Sequence, residues 1–240
     1  MTYKGGKAGD GVYQKIVNQI PPHDVYIEAF LGGGAVMLRK RPSACSIGID
    51  SDAAVIENWR SSSPAIYGDA CDRVLGATFI NGDAILYLPG LVATEIRDGA
   101  RVFVYADPPY LLETRKSKRA IYNYEMMDST SHSLLLAMLD SLPCMVALSG
   151  YWSSLYESSL QGWRSINFKA RTRGGSATEW LWMNYPEPVE LHDYRYLGEN
   201  FREREKITRQ RKRWRARLER MSSLQRYALL SSIAELGGAS

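Results

Sequence analysis

Apolar positions change their spacing along the chain, and the changes mark elements. Val12, Ile16, Val17 and Ile20 repeat at helical spacing on one face, and Pro21-Pro22 stop the run. Asp24–Glu28 reads as a strand. Gly32-Gly33-Gly34 then make a turn, and Ala35–Lys40 is expected to be helical. Cys45–Ile49 reads as a second strand ending at Asp50, with a helix from about Asp52 to Trp59 after it. Thr78-Phe79-Ile80 is a short strand before Asn81-Gly82-Asp83. Arg101–Ala106 is a further strand, almost wholly apolar. Residues 111–127 are polar and basic and are expected to form a loop. Ser133–Leu142 is expected as helix, Cys144–Leu148 as strand and Ser153–Leu160 as helix. Trp163–Ala170 and Thr178–Tyr185 read as two strands around the turn at Gly174-Gly175.

Strands that alternate with helices predict an α/β fold with a doubly wound, mostly parallel sheet. The closing pair has no helix between its strands, which predicts an antiparallel hairpin at one edge. Pro186-Glu187-Pro188 breaks the pattern. From about residue 199 the chain reads as one long charged helix, a basic C-terminal extension. Ile207, Trp214, Leu218, Met221, Leu224 and Ala228 give it a narrow apolar stripe. The expected division is residues 1–190 as a catalytic domain and 191–240 as a helical extension.

Composition adds three limits. With 45% hydrophobic residues among 240, a sizeable core is attainable. No apolar run approaches the length of a membrane span, and the first residues lack the apolar stretch of a signal peptide. The three cysteines, Cys45, Cys71 and Cys144, are widely spaced and suit free thiols in a reducing cytoplasm. No Cys-x-x-Cys occurs, and His23, His132 and His192 stand apart, so no metal is expected. The charge is uneven. Arg202–Arg220 holds ten Lys/Arg against three Glu, a net of +7, which leaves −3 for the rest of a chain whose total is +4. That local field points to a polyanion such as nucleic acid.

The sharpest chemical signal is Asp107-Pro108-Pro109-Tyr110, at the end of the strand that closes on Ala106. Ligand chemistry in open α/β sheets collects at the carboxyl ends of strands. Two prolines fix φ and remove two donors. The Asp107 carboxylate and the Pro108 carbonyl then form a rigid acceptor edge beside an aromatic face, Tyr110. Such an edge suits an exocyclic amine on a flat ring. A second signal is the strand–glycine turn Ile27–Gly34. It is neither a Gly-x-Gly-x-x-Gly fingerprint nor a Walker loop. Asp50, an acid at the end of the next strand, strengthens it, because a carboxylate there suits the two hydroxyls of a ribose.

Taken in order, these segments resemble the DNA adenine-N6 methyltransferases of the Dam type, the D12 class. The resemblance rests on Tyr3-Lys4-Gly5-Gly6-Lys7, Tyr26–Val36, Asp50-Ser51-Asp52 and Asp107–Tyr110, and covers roughly residues 1–185. It implies a Rossmann-like methyltransferase fold, S-adenosylmethionine as cofactor, adenine in DNA as acceptor, and a cytoplasmic enzyme of prokaryotic or phage origin, of the kind found in restriction–modification. It implies that Tyr3, Lys7, Phe30 and the backbone at Gly32 and Gly34 line the cofactor pocket, with Glu28 near the amino-acid end. Asp50 would take the ribose and Asp83 the adenine ring. Gly68-Asp69-Ala70 nearly copies Gly82-Asp83-Ala84; Asp83 is preferred because it follows the better strand. The catalytic residues would be Asp107, Pro108, Pro109 and Tyr110.

One departure stands out. Dam-type enzymes usually carry a target-recognition domain ahead of the catalytic motif. Here only the 23 residues Ala84–Ala106 intervene, so a compact form without that domain is expected, with short or relaxed sequence recognition. DNA contact would fall to Arg115, Lys116, Lys118, Arg119 and Tyr122 in the basic loop, to the turn at 171–175, or to Arg209, Arg211, Lys212 and Arg213. The C-terminal helix would bind DNA or dock a second copy of the chain. Two rivals remain open: the same chemistry on RNA adenine or cytosine N4, and a non-catalytic DNA-binding protein on this scaffold.

Overall fold

The structure is a computed structural model, in which residues 7, 9, 11–61, 76–114, 128–172 and 175–237 are described. Contacts divide it into two units, Met1–Tyr194 and Arg195–Ser240. The division falls slightly beyond the expected boundary at 190.

In the first unit α1 (Val12–Val17) precedes β1 (Val25–Ala29), β2 (Cys45–Asp50) and α2 (Ala53–Ser61). Then come β3 (Thr78–Asn81), α3 (Ala84–Arg97), β4 (Val102–Ala106), α4 (Ser129–Ser141), β5 (Met145–Gly150) and α5 (Ser154–Ser159). The unit's elements end with β6 (Arg164–Thr172) and β7 (Gly175–Met183). All strands join one sheet in the order β3-β2-β1-β4-β5-β7-β6. β1 to β5 run parallel, and β7 is antiparallel to both β5 and β6. The α/β class, the parallel sheet and the edge hairpin are those read from the sequence.

The central strands are buried along their whole length, yet their two faces differ chemically. Val25, Ile27, Ala29, Val102, Val104 and Ala106 point into the aliphatic core. There they meet Ala84, Leu88 and Val92 of α3 and Leu135, Leu136 and Leu139 of α4. The alternate positions carry Tyr26, Glu28, Phe103 and Tyr105, all buried. Period-two alternation sends these to the opposite face. Tyr26 and Phe103 stack there with ring centroids 6.1 Å apart, and the Lys40 ammonium lies 4.1 Å above the Tyr26 ring. The histidines expected to stand apart include a pair: His23 and His192 stack at 3.9 Å beside Phe103.

Two expectations need correction, and one helix is unanticipated. Residues 35–40 form turns, not a helix. Isolated helical bonds occur, from Leu38 N to Gly34 O and from Lys40 N to Val36 O, but Arg39 N bonds Val36 O three residues back, so the ladder is not continuous. The interval Ala84–Arg97 is a full helix despite Pro89. Asp83 caps it, its side chain accepting from Ile85 N at 2.9 Å, and core burial of Leu88 and Val92 offsets the bond lost at the proline. Finally, the C-terminal segment is two helices, α6 (Phe201–Glu219) and α7 (Ser223–Gly237). The last turn of α6 tightens, with Arg220 N bonding Arg217 O and Met221 N bonding Leu218 O, and Ser222 then caps Gln225. The apolar stripe read across this break therefore does not form one helix face.

Candidate active site

Parallel register brings two motifs together. Ala29 at the end of β1 is paired with Ala106 at the end of β4. Next to each other in the sheet, β1 and β4 leave toward opposite flanks, which opens the crevice where such sheets bind ligands. The glycine turn and Asp107–Tyr110 thus emerge side by side, and Asp107 N donates to Ala29 O at 3.4 Å. Phe30, the first residue of the turn, sits at φ 59°, in the left-handed region that a bulky side chain enters only under constraint.

Asp107 does not present an empty edge. Lys7 Nζ donates to its two oxygens at 2.6 and 2.8 Å and also donates to Tyr110 Oη. The Lys7 side chain is 4% exposed and that of Asp107 19%. Glu179 of β7 is buried as well, with Oε2 3.7 Å from the same ammonium. Because β7 runs antiparallel, its early residues lie at the carboxyl edge: Trp180 pairs with Gly150, the last residue of β5. Tyr105, two positions before Asp107, hydrogen bonds Ser149 at 2.8 Å. The Tyr110 ring meets Tyr151 edge-on at 4.5 Å.

Charge follows from this packing. Burial draws the Lys7 ammonium down, but the negative charges of Asp107 and Glu179 outweigh it, and its pKa is raised. Burial pushes the Asp107 carboxyl up, and Lys7 pulls it part of the way back. Glu179 is raised for the same first reason, burial, with Asp107 adding repulsion and Lys7 opposing.

The glycine turn is braced from behind. Trp59 Nε1 donates to Gly32 O at 2.9 Å. Gly34 has φ 53°, and a Cβ there would fall 2.7 Å from Cη2 of Trp59 and closer still to Cζ2. Its lack of a side chain serves this packing. Asp50, half-buried at the end of β2, accepts from Gly32 N and from Asp52 N, each at 2.8 Å. Burial raises its pKa, and the two N–H donors oppose that shift. Glu28 accepts from Tyr26 Oη at 2.7 Å and from Met37 N, and burial pushes its pKa up to about 7. Asp83 is exposed at the carboxyl end of β3, where it caps α3.

So Lys7 and Tyr110 are gathered around Asp107, while Phe30, Gly32, Gly34 and Asp50 form the adjoining turn. Glu28 lies beneath that turn, tied to Met37. Pro108 is buried and Pro109 half-buried at the strand end. Tyr3, Arg115, Lys116, Lys118, Arg119, Tyr122 and Asp69 lie outside the described residues. Arg209, Arg211, Lys212 and Arg213 are exposed on α6, in the other unit. Reading the sequence missed Glu179. Its signal was an acid inside the apolar strand Ala177–Met183, on a position that alternation buries. Among the described residues, no group of three His, Cys, Asp or Glu is placed to hold a metal ion, and no helix is long and apolar enough to cross a membrane.

Residues 90–168 match the family described as D12 class N6 adenine-specific DNA methyltransferase. That segment holds most of α3, β4, Asp107–Tyr110, α4, β5 and α5. No curated protein matches the chain in sequence. Among solved structures, a dimethyladenosine transferase from Plasmodium falciparum is 15% identical, with 76% of this chain and 63% of that one covered and a TM-score of 0.43. Magnesium protoporphyrin IX methyltransferase from Synechocystis PCC 6803, with bound SAM, is 11% identical over 72% and 75%, at 0.45. N-methyltransferase NodS from Bradyrhizobium japonicum WM9 is 10% identical over 72% and 93%, at 0.44. The family match ties the segment bearing Asp107 to methyl transfer, with S-adenosylmethionine as the methyl donor.

Proposed function

We propose that the chain transfers a methyl group from S-adenosylmethionine to the N6 amine of adenine in DNA. One observation carries this reading. Asp107–Tyr110 leaves β4 directly beside the turn that leaves β1, so an amine held at Asp107 faces whatever the turn binds. The D12 match over that segment favours adenine.

The turn fits the donor. Asp50 is fixed by two N–H groups, yet a carboxylate has about four lone-pair sites. Its remaining capacity suits a ribose diol, with Phe30 and Gly32 lining the same edge. Bound there, S-adenosylmethionine supplies an electrophilic methyl on a sulfonium, so neither metal nor covalent enzyme intermediate is required. An adenine amine inside a duplex is out of reach, so the base must be flipped out or already single-stranded. Tyr110 offers a ring face to it; such stacking contributes ~1–3 kcal/mol per base. Asp107 and the Pro108 carbonyl accept the two N6 hydrogens and free the nitrogen lone pair. N6 forms its bond to the methyl carbon as the carbon–sulfur bond breaks, its electron pair going to sulfur. One N6 proton then leaves, and Asp107, its pKa raised by burial, is placed to accept it. Positioning supplies most of the rate.

The test is to map modified bases in DNA incubated with the purified chain and S-adenosylmethionine, beside an Asp107→Ala control. N6-methyladenine is expected with the wild type. The variant should lose at least tenfold in rate, about 1.4 kcal/mol of barrier. Methylation confined to cytosine, or to RNA, would replace the substrate. A variant that retains full turnover would remove Asp107 from the reaction.

A further inference from the structure

Lys7 uses its ammonium on the same carboxylate that the adenine amine needs. An ammonium has three donors. Two go to the oxygens of Asp107 and one to Tyr110 Oη. Each oxygen of Asp107 already accepts one donor, so an exocyclic amine must share the carboxylate with the ammonium and is held best when Lys7 gives up a bond. Withdrawing a buried ammonium from its carboxylate, with no other acceptor, would leave an unpaired charge in a dry site. A second carboxylate within reach would keep the ammonium paired as it yields its place on Asp107.

Glu179 supplies it. Oε2 of Glu179 is buried, has no hydrogen-bond partner among the described residues, and stands 3.7 Å from Lys7 Nζ. This is an ion pair just too long to be a hydrogen bond. A buried carboxylate oxygen left without a donor is rare in a folded protein and calls for an explanation, and the ammonium beside it offers one. A shift of Nζ by about an ångström toward β7 would turn the contact into a hydrogen bond near 2.8 Å. A shift that also lengthens one bond to Asp107 would open that oxygen to the amine. Glu179 is anchored in the nine-residue strand β7, so the acceptor stays in place while the lysine side chain moves.

We propose that Glu179 is a positioning residue that receives the Lys7 ammonium when the substrate amine takes its place on Asp107. The inference rests on the amine-methylation reading of this site. Lys7 has two seats, Asp107 at rest and Glu179 during turnover. Glu179 touches no reacting atom; it acts through Lys7. It also keeps the local charge constant, since the ammonium stays within the cluster while Asp107 turns to the substrate.

A double-mutant cycle tests this, with Glu179→Gln measured alone and in a Lys7→Met background. Alone, Glu179→Gln should lower kcat for adenine methylation at least tenfold, change the KM for S-adenosylmethionine less than twofold, and leave the thermal melt cooperative. Glu179→Asp should recover part of the loss. In the Lys7→Met background the same substitution should cost less than twofold, because no ammonium remains to be seated. Where Lys7→Met itself abolishes turnover, the cycle is read in binding. Affinities of the four proteins for an adenine-containing and an adenine-free single-stranded oligonucleotide are compared with S-adenosylhomocysteine present. Glu179→Gln should then erase the adenine preference only when Lys7 is present. An equal cost with and without Lys7 would make Glu179 merely structural and overturn the inference. Adenine methylation by the wild type together with an unaffected Glu179→Gln variant would overturn this inference alone. A wild type that methylates no amine would overturn the parent reading and this one with it.

Discussion

Glu28 shows how one buried side chain can make stability depend on pH in an unusual direction. Tyr26 Oη and Met37 N both donate to the same oxygen of its carboxyl group. Burial nevertheless dominates and raises its pKa to about 7, from an ordinary value near 4.5. Between those values the folded chain holds a proton that the unfolded chain releases. Glu28 thus contributes stability that is fully present below about pH 4.5 and is lost as pH rises through about 7, at roughly 1.4 kcal/mol per pH unit within the window. Glu28→Gln keeps an acceptor for both donors and removes the titration. Urea unfolding of both proteins at pH 5 and pH 8 should show the difference between them moving in favour of the variant at the higher pH. Taking the difference cancels other groups, among them His192, whose pKa burial lowers to about 4. An identical difference at both pH values would mean that Glu28 does not titrate in this range. At this scale the sequence was legible where chemistry is local. Asp107–Tyr110 announces itself in four adjacent residues. Glu179 does not, because its meaning comes from Lys7, far away along the chain and brought close only by the antiparallel turn of β7.

Elements were legible where packing and local preference agree. The strands, α2 and the edge hairpin fall near their expected limits, since alternation and turn residues point the same way. They were missed or misread where the apolar pattern was weak. The pattern assigns no element to residues 84–97, and there the Asp83 cap and the burial of Ala84, Leu88 and Val92 carry α3 through Pro89. Residues 35–40 have helical composition, but Arg39 N bonds Val36 O three residues back and the ladder stays broken. The glycine turn carries a similar lesson about function. Gly34 reads as a residue that lets a ligand approach, whereas its space is filled by Trp59. A methyl group there meets a rigid indole and is asked to sit at φ 53°. Strain of this kind costs roughly 1–3 kcal/mol, and overpacking adds a similar amount. Gly34→Ala should therefore lower the urea midpoint, and it should weaken S-adenosylmethionine binding only as far as the turn is displaced. A variant with an unchanged midpoint and no cofactor binding would show that Gly34 faces the ligand instead.

On the scale of the whole molecule the clearest feature is where charge resides. The +7 between Arg202 and Arg220 falls on α6. Arg209 pairs with Glu205 and Arg215 with Glu219 at helical spacing on exposed surface. Exposed pairs of this type contribute roughly 0.3–0.5 kcal/mol and leave most of the positive field outward. The sequence made this asymmetry legible, because charge counts need no fold. It did not show that the basic and apolar parts separate. The stripe from Ile207 to Ala228 is cut at Arg220–Ser222, leaving Leu224, Tyr227, Leu230, Ile233 and Leu236 exposed on α7. The basic helix is thus a candidate for phosphate contacts on its own. Such contacts hold DNA without reading it, which accords with the short interval of 23 residues, Ala84–Ala106, ahead of Asp107. Neutralising Arg209, Arg211, Lys212 and Arg213 together should flatten the dependence of log K on log salt by about 0.9 for each phosphate that the variant no longer neutralises. Thermal stability should change little, because all four side chains are on exposed surface and the Arg209–Glu205 pair is of the weak kind. Binding of a fluorescent duplex at several salt concentrations gives the slope. A slope identical to that of the wild type would remove α6 from the DNA interface and leave DNA binding to the catalytic unit.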